Sequence, residues 1–132
     1  MTTREQQVRT WSMLCHLSAL AVLIFPFGNI LGPLLVWQIR KNDLPEIDPH
    51  GKESLNFQLT ILIITVVFSF FLYSTLGYGA LVGSPWLMFG GGFGLGFVLA
   101  LVKLISFALV VLASIKANNG ELFHYPSIRF LK

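Results

Sequence analysis

From Trp11 to Ile39 no side chain carries a full charge at neutral pH, and His16 is the one titratable nitrogen in that run. Backbone amides surrounded by hydrocarbon have to be satisfied within the chain, so a stretch of this kind folds as helix. As a single helix its 29 residues would extend about 43 Å, longer than a ~30 Å hydrocarbon core. Its middle reads Phe25-Pro26-Phe27-Gly28-Asn29, followed by Gly32-Pro33. Proline removes a backbone donor and clashes with the preceding turn, so a break is expected there. The segment is either one kinked span or two short helices folded into a hairpin.

Residues 40 to 55 read as a polar loop in which Asp48-Pro49 marks a helix start, with a capping carboxylate and proline at the first helical position. That helix enters the membrane near Leu55 and runs to about Tyr78. Between Leu59 and Leu72 it holds only apolar residues, Thr and Ser, and those hydroxyls can bond to helix carbonyls. Gly77 to Gly96 contains eight of the twelve glycines, with Pro85 and Trp86, and reads as an uncharged turn. A last span runs from about Gly94 to Ala113, interrupted by Lys103, and closes at Ala117-Asn118-Asn119-Gly120. The tail, Glu121 to Lys132, mixes aromatic and basic residues in the manner of interfacial segments.

Hydrophobic residues make up 55% of the chain and charged ones 11%, against roughly 25% charged in soluble domains. A soluble protein of 132 residues cannot cover its surface with so little charge, so residues 1–132 are read as one integral membrane domain. The net charge of +3 does not point to nucleic acid, because the basic residues form no stripe. Their placement decides topology instead. Arg4 and Arg9 precede the first segment, Arg40, Lys41 and Lys52 lie in the first loop, and Lys116, Arg129 and Lys132 follow the last span. If the first segment folds back, all eight share the cytoplasmic side, as the positive-inside rule prefers. The expected architecture is therefore all-α and polytopic, with four helical segments, a short or re-entrant first hairpin, and both termini cytoplasmic in the cell membrane. The N-terminal segment lacks a small-residue cleavage site and reads as retained rather than as a signal peptide.

Few residues invite chemistry. Lys103 is a cation within a span, where burial costs several kcal/mol. It either lines a polar path, pairs with a partner's acid, or snorkels along its stem to the interface. Asn29 and Asn56 are amides at or near membrane depth that either bond across helices or lie at the turn and the interface. Gly90, Gly92, Gly94 and Gly96 include two GxxxG spacings, Gly90/Gly94 and Gly92/Gly96, which suit either a helix-contact surface or a flexible turn. No strand precedes them and no acidic ribose partner follows, so a dinucleotide loop is excluded. His16, His50, His124 and Cys15 lack the local spacing of zinc ligands. No nucleophile, base and oxyanion set is present, so neither an enzyme nor a cofactor is expected. A lone cysteine excludes an internal disulfide.

Four stretches in order, Trp11–Leu20 (WSMLCHLSAL), Gly32–Trp37 (GPLLVW), His50–Leu59 (HGKESLNFQL) and the tail from Ile115 (IKANNGELFHYPSIRFL), resemble the prokaryotic small membrane proteins of domain-of-unknown-function family four-eight-seven-zero, grouped with Tic-twenty-like proteins. The resemblance implies a four-helix membrane protein. It also implies a link to protein translocation or membrane assembly, though it assigns no residue a role. The functional expectation is an interaction or scaffold subunit in the lipid bilayer, with a protein partner or as a homo-oligomer. The alternative is a small oligomeric pore or transporter lined by Lys103 and the asparagines.

Overall fold

A computed structural model describes residues 3–24 and 26–132. The chain forms four α-helices: α1 (Arg4–Leu17), α2 (Gly28–Arg40), α3 (Asp48–Leu81) and α4 (Gly92–Asn118). Helix α1 begins with a capping box, Thr3 accepting from the Gln6 amide while the Gln6 side chain accepts from the Thr3 amide. It tightens into a 3-10 stretch, Ser18–Leu23, before the chain reverses. Phe27 takes the left-handed conformation (φ 64°) at the reversal, a backbone region uncommon for a side chain of that size. The reversal falls within the expected break, of which Phe25 lies outside the described residues. Pro33 does not break α2. It falls in the second turn, and only the Asn29 carbonyl four residues back loses a donor.

The first segment is thus a folded-back hairpin with arms of 14 and 13 residues, each about 20 Å and too short to cross a bilayer. Its charged ends meet. Arg4 bonds the Glu46 carboxylate at 3.0 Å, and the Arg40 guanidinium lies 4.4 Å above the Trp11 ring. At the other end, Gly28 and Gly32 let the two backbones touch. A β-carbon on Gly32 would fall against the Ser18 carbonyl, 2.7 Å from its carbon, and one on Gly28 would lie 2.7 Å from the Val22 nitrogen.

Residues 40 to 55 hold less loop than expected. A 3-10 turn at Pro45–Ile47 leads straight into α3 at Asp48. The Asp48 carboxylate accepts from Trp37 Nε1 at 2.9 Å and pairs with Lys52 at 2.8 Å. Gly51 lies directly beneath the Trp37 ring, which seats α2 on the start of α3.

Two stretches are long and apolar enough to cross a membrane, Pro45–Leu81 and Trp86–Asn118. Helix α3 alone has 34 residues, about 51 Å of rise. The glycine-rich region departs from expectation. The turn between α3 and α4 is confined to residues 82–84, where Gly83 has a positive φ of 65°. Trp86–Gly91 forms a π-helical stretch that runs into α4. Glycine permits a turn without requiring one. Where no water can bond the backbone, the helix wins.

The chain divides into two compact units, one containing residues up to Thr60 together with Phe107–Lys132, the other Ile61–Ser106. In the first, the hairpin, the start of α3, the end of α4 and the tail enclose a core that includes Cys15, Ala19, Trp37, Ile47 and Phe57. In the second, α3 and α4 continue with most large apolar side chains outward, among them Phe70, Phe71, Phe93 and Phe97, as a lipid-facing pair requires.

Candidate functional site

The polar chemistry collects in the first unit, on one face of α3. Glu53, Asn56 and Thr60 lie at i, i+3 and i+7 and therefore share a helix face. Each bonds the backbone of the C-terminal tail. Glu53 Oε2 accepts from the Tyr125 amide at 3.0 Å. Asn56 is bidentate, its Nδ2 donating to the Leu131 carbonyl at 2.9 Å and its Oδ1 accepting from the Leu131 amide at 2.7 Å. The Thr60 hydroxyl donates to the Asn56 carbonyl and accepts from the Ile128 amide at 3.0 Å. The other Glu53 oxygen holds Arg129 and, at 3.3 Å, His124 Nδ1. A tail without regular structure obtains here the backbone partners that burial demands. Tyr125, in the middle of the tail, is 3% exposed and stacks on Phe57, ring centroids 4.3 Å apart. Tyr125 thus serves packing, while Phe130 is exposed, and in sequence the two look alike.

Behind this face lies a chain of three rings. The Tyr125 hydroxyl lies 2.9 Å from His16 Nδ1, and His16 Nε2 lies 3.2 Å from His50 Nδ1. His16 is fully buried. That burial, reinforced by His50 opposite, pushes its pKa from an ordinary 6.5 down to about 3. Burial likewise drives the Tyr125 phenol upward, with Glu53 adding to the effect. The Cys15 thiol rises to about 12, and a thiol held protonated is a poor metal ligand. Among the described residues no group of three or more His, Cys, Asp or Glu side chains is placed to hold a metal. The ring chain is a neutral hydrogen-bond relay that joins α1, α3 and the tail.

A pH dependence follows. A histidine kept neutral in the fold but titrating near 6.5 when unfolded contributes stability fully above pH 6.5, and loses it as pH falls toward 3. Thermal unfolding in detergent is expected at a lower temperature at pH 5 than at pH 7.5. His16→Gln is expected to flatten that slope. An unchanged slope in the variant would assign the acid sensitivity elsewhere.

The residues singled out in the sequence are dispersed. Asn29, in the first turn of α2, donates from Nδ2 to Gln58 Oε1 at 3.1 Å, linking the hairpin to α3. Asn56 is 1% exposed and holds the tail. Lys103 is exposed on α4, and among the described residues no acidic side chain pairs with it. A β-carbon on Gly92 would meet the Leu76 side chain at 2.7 Å, whereas one on Gly90 would only graze Trp86 at 4.0 Å. Around Gly94 and Gly96 there is open space. Gly92 and Gly96 line an apolar cleft of about 520 Å³ with Leu72, Leu76, Met88, Phe89, Phe93 and Phe97, which carries no polar group for chemistry. Sequence reading missed His16–His50–Tyr125 and the Glu53 anchor, whose members lie 34 to 109 residues apart. It also missed Gly28 and Gly32, whose four-residue spacing was available as a signal.

The model of the MamF_MmsF family, described as the magnetosome magnetite crystal formation protein family, matches residues 7–131. No curated protein and no solved structure matches the chain. The family match overturns the Tic-twenty-like resemblance and the translocation-linked scaffold subunit that drew on it, and also the alternative of a pore or transporter, which rested on Lys103 and the asparagines. The reason is visible in the fold. The four stretches that carried the resemblance contain Gly32, Trp37, His16, His50, Glu53, Asn56 and Tyr125, the residues that close the hairpin and fasten the tail. They describe how such a core packs, and a packing pattern does not specify a function. The matched family is a magnetosome membrane protein family not known as enzymes.

Proposed function

The chain belongs to the magnetosome magnetite crystal formation protein family, and on that premise we propose that it serves magnetite crystal formation from within a magnetosome membrane, with α3 and α4 crossing the bilayer and both termini cytoplasmic. The partition of charge carries this reading. Of nine basic and six acidic residues, all but Lys103 lie in the unit that contains the two termini. The α3–α4 turn has none, and is flanked by the exposed rings of Tyr78 and Trp86, aromatics of the kind that lodge at a membrane interface. Eight basic residues on one side and none in the turn direct the charged unit to the cytoplasm and the turn to the lumen.

That orientation limits how the chain acts on a growing crystal. Hard metal cations are held by carboxylate oxygens, and every carboxylate of this chain lies on the cytoplasmic side. The lumenal turn offers Ser84 and aromatic rings. The contribution is therefore made by the membrane helices and the cytoplasmic unit, without an acidic lumenal template.

The test uses intact isolated magnetosomes and the variants Thr3→Cys, Asn42→Cys and Ser84→Cys, each in a Cys15→Ala background. A membrane-impermeant thiol reagent is expected to label the exposed positions 3 and 42, and position 84 only after permeabilisation. Labelling of 84 alone in intact vesicles would place all the carboxylates in the lumen and sink the orientation. Removal of the chain is expected to change crystal size or number in electron micrographs. Unaltered crystals would refute the functional reading.

A further inference from the structure

Between the first turns of α3 and the tail lies a pocket of about 370 Å³, distinct from the buried ring chain. Its polar lining is cationic. Lys52 on α3 and Arg129 and Lys132 on the tail converge on it, with His124 beside them. The acidic side chain in the lining is Glu53, only 6% exposed, with one oxygen on Arg129 and His124 and the other on the Tyr125 amide. Glu53 is thus a neutralised floor that holds the Arg129 guanidinium in place. Lys52 pairs with Asp48. Among the described residues, Arg129 uses only Nη1 on a protein acceptor and Lys132 has none, so several N–H donors remain for a ligand. Pro49, Leu122 and Leu131 supply an apolar wall.

The depth of the pocket bears on what fills it. Glu53 is the last charged residue before Lys103, so the uncharged part of α3 starts one residue beyond it. Lys52 precedes Leu59 by seven residues, about 10 Å along the helix, which is comparable to the thickness of a headgroup layer. A cationic pocket with an apolar wall at that level meets an amphiphile whose head is anionic. The early turns of α3 add the positive end of the helix dipole.

We propose that this pocket binds a phosphate group, presented there by the headgroup of an anionic phospholipid. Arg129 offers planar paired donors suited to phosphate oxygens, Lys52 and Lys132 add point charges on either side, and Leu122 and Leu131 face the glycerol and upper acyl carbons. The site requires nothing of the crystal-forming role and stands apart from it.

Native mass spectrometry of the full chain in detergent tests this, with phosphatidylglycerol, phosphatidylcholine and inorganic phosphate titrated separately. Phosphatidylglycerol is expected to be retained over phosphatidylcholine. Lys132→Gln, at a position with no side-chain hydrogen bond or ion pair among the described residues, is expected to weaken that retention about fivefold, the usual effect of one basic residue at a membrane surface. The double variant Arg129→Gln/Lys132→Gln should weaken it further while its helix content by circular dichroism stays that of the wild type. Lys41→Gln, whose ammonium lies over Trp37 and does not line the pocket, should leave retention unchanged. Retention of inorganic phosphate, lost in the same variants, would keep the phosphate chemistry but assign a soluble source. Equal retention of the two lipids would overturn the proposal, and so would a loss in Lys41→Gln as large as in Lys132→Gln.

Discussion

Replacing Glu53 by alanine is expected to release the whole C-terminal tail. The carboxylate is 6% exposed and accepts from three groups: the Tyr125 amide, Arg129 and His124. Its removal leaves a buried N–H without an acceptor, strips Arg129 of its counter-charge and takes the carboxylate from His124. Breaking such a buried pair costs about 3–5 kcal/mol. Because the Arg129 and His124 side chains are 42% and 68% exposed, water recovers part of that, and about 3 kcal/mol is the expected loss. Glu53→Gln keeps an acceptor for the Tyr125 amide and should lose about half as much. Amide hydrogen exchange distinguishes mechanism as well as size. If the tail comes away as a unit, the Tyr125, Ile128 and Leu131 amides all exchange about a hundredfold faster, although the last two are held by Thr60 and Asn56. Acceleration of Tyr125 alone would show that each anchor acts independently, and the cooperative account would fail.

Glu53 also shows why this region was only half legible. Its helix was readable, because Asp48-Pro49 marks a start through local chemistry and the apolar run behind it requires a helix. Its partner was not. Arg129 and Tyr125 lie more than seventy residues away, and a tail of alternating aromatic and basic residues looks the same whether it lies on headgroups or against a helix face. Only the i, i+3, i+7 row of Glu53, Asn56 and Thr60 hints that something with backbone donors must cover α3. The His16–His50–Tyr125 chain was hidden for the same reason, since it has no spacing to read. The hairpin, in contrast, could be anticipated from Pro26 and Gly28 together with the basic residues. Folding back was the one arrangement that kept Arg4 and Arg9 on the side of Arg40 and Lys41. Involvement in magnetite formation has no local signature at all, because the residues that stand out are those that hold the core together.

The second large effect is expected at Gly32, where glycine count and glycine role part company. The chain crowds eight of its twelve glycines into residues 77–96, yet Gly94 and Gly96 face open space while Gly28 and Gly32, one helical turn apart, sit against backbone. A β-carbon at position 32 runs into the Ser18 carbonyl group and meets the Ser18 Cβ at 3.0 Å. Those atoms belong to the opposite arm, so no flexible side-chain end can move aside and the arms themselves must separate. Overpacking of this kind usually costs 1–3 kcal/mol, and a backbone obstacle places Gly32→Ala at about 3 kcal/mol. Gly94→Ala should do the opposite. Its added methyl meets nothing within 4 Å, and alanine in a helix interior is favoured over glycine by about 0.5–1 kcal/mol. Thermal unfolding of the two variants in the same detergent decides the matter, with Gly32→Ala expected well below the wild type and Gly94→Ala level with it or slightly above. Were the order reversed, the hairpin would not depend on close contact at Gly32, and the GxxxG face of α4 would have to pack against another chain.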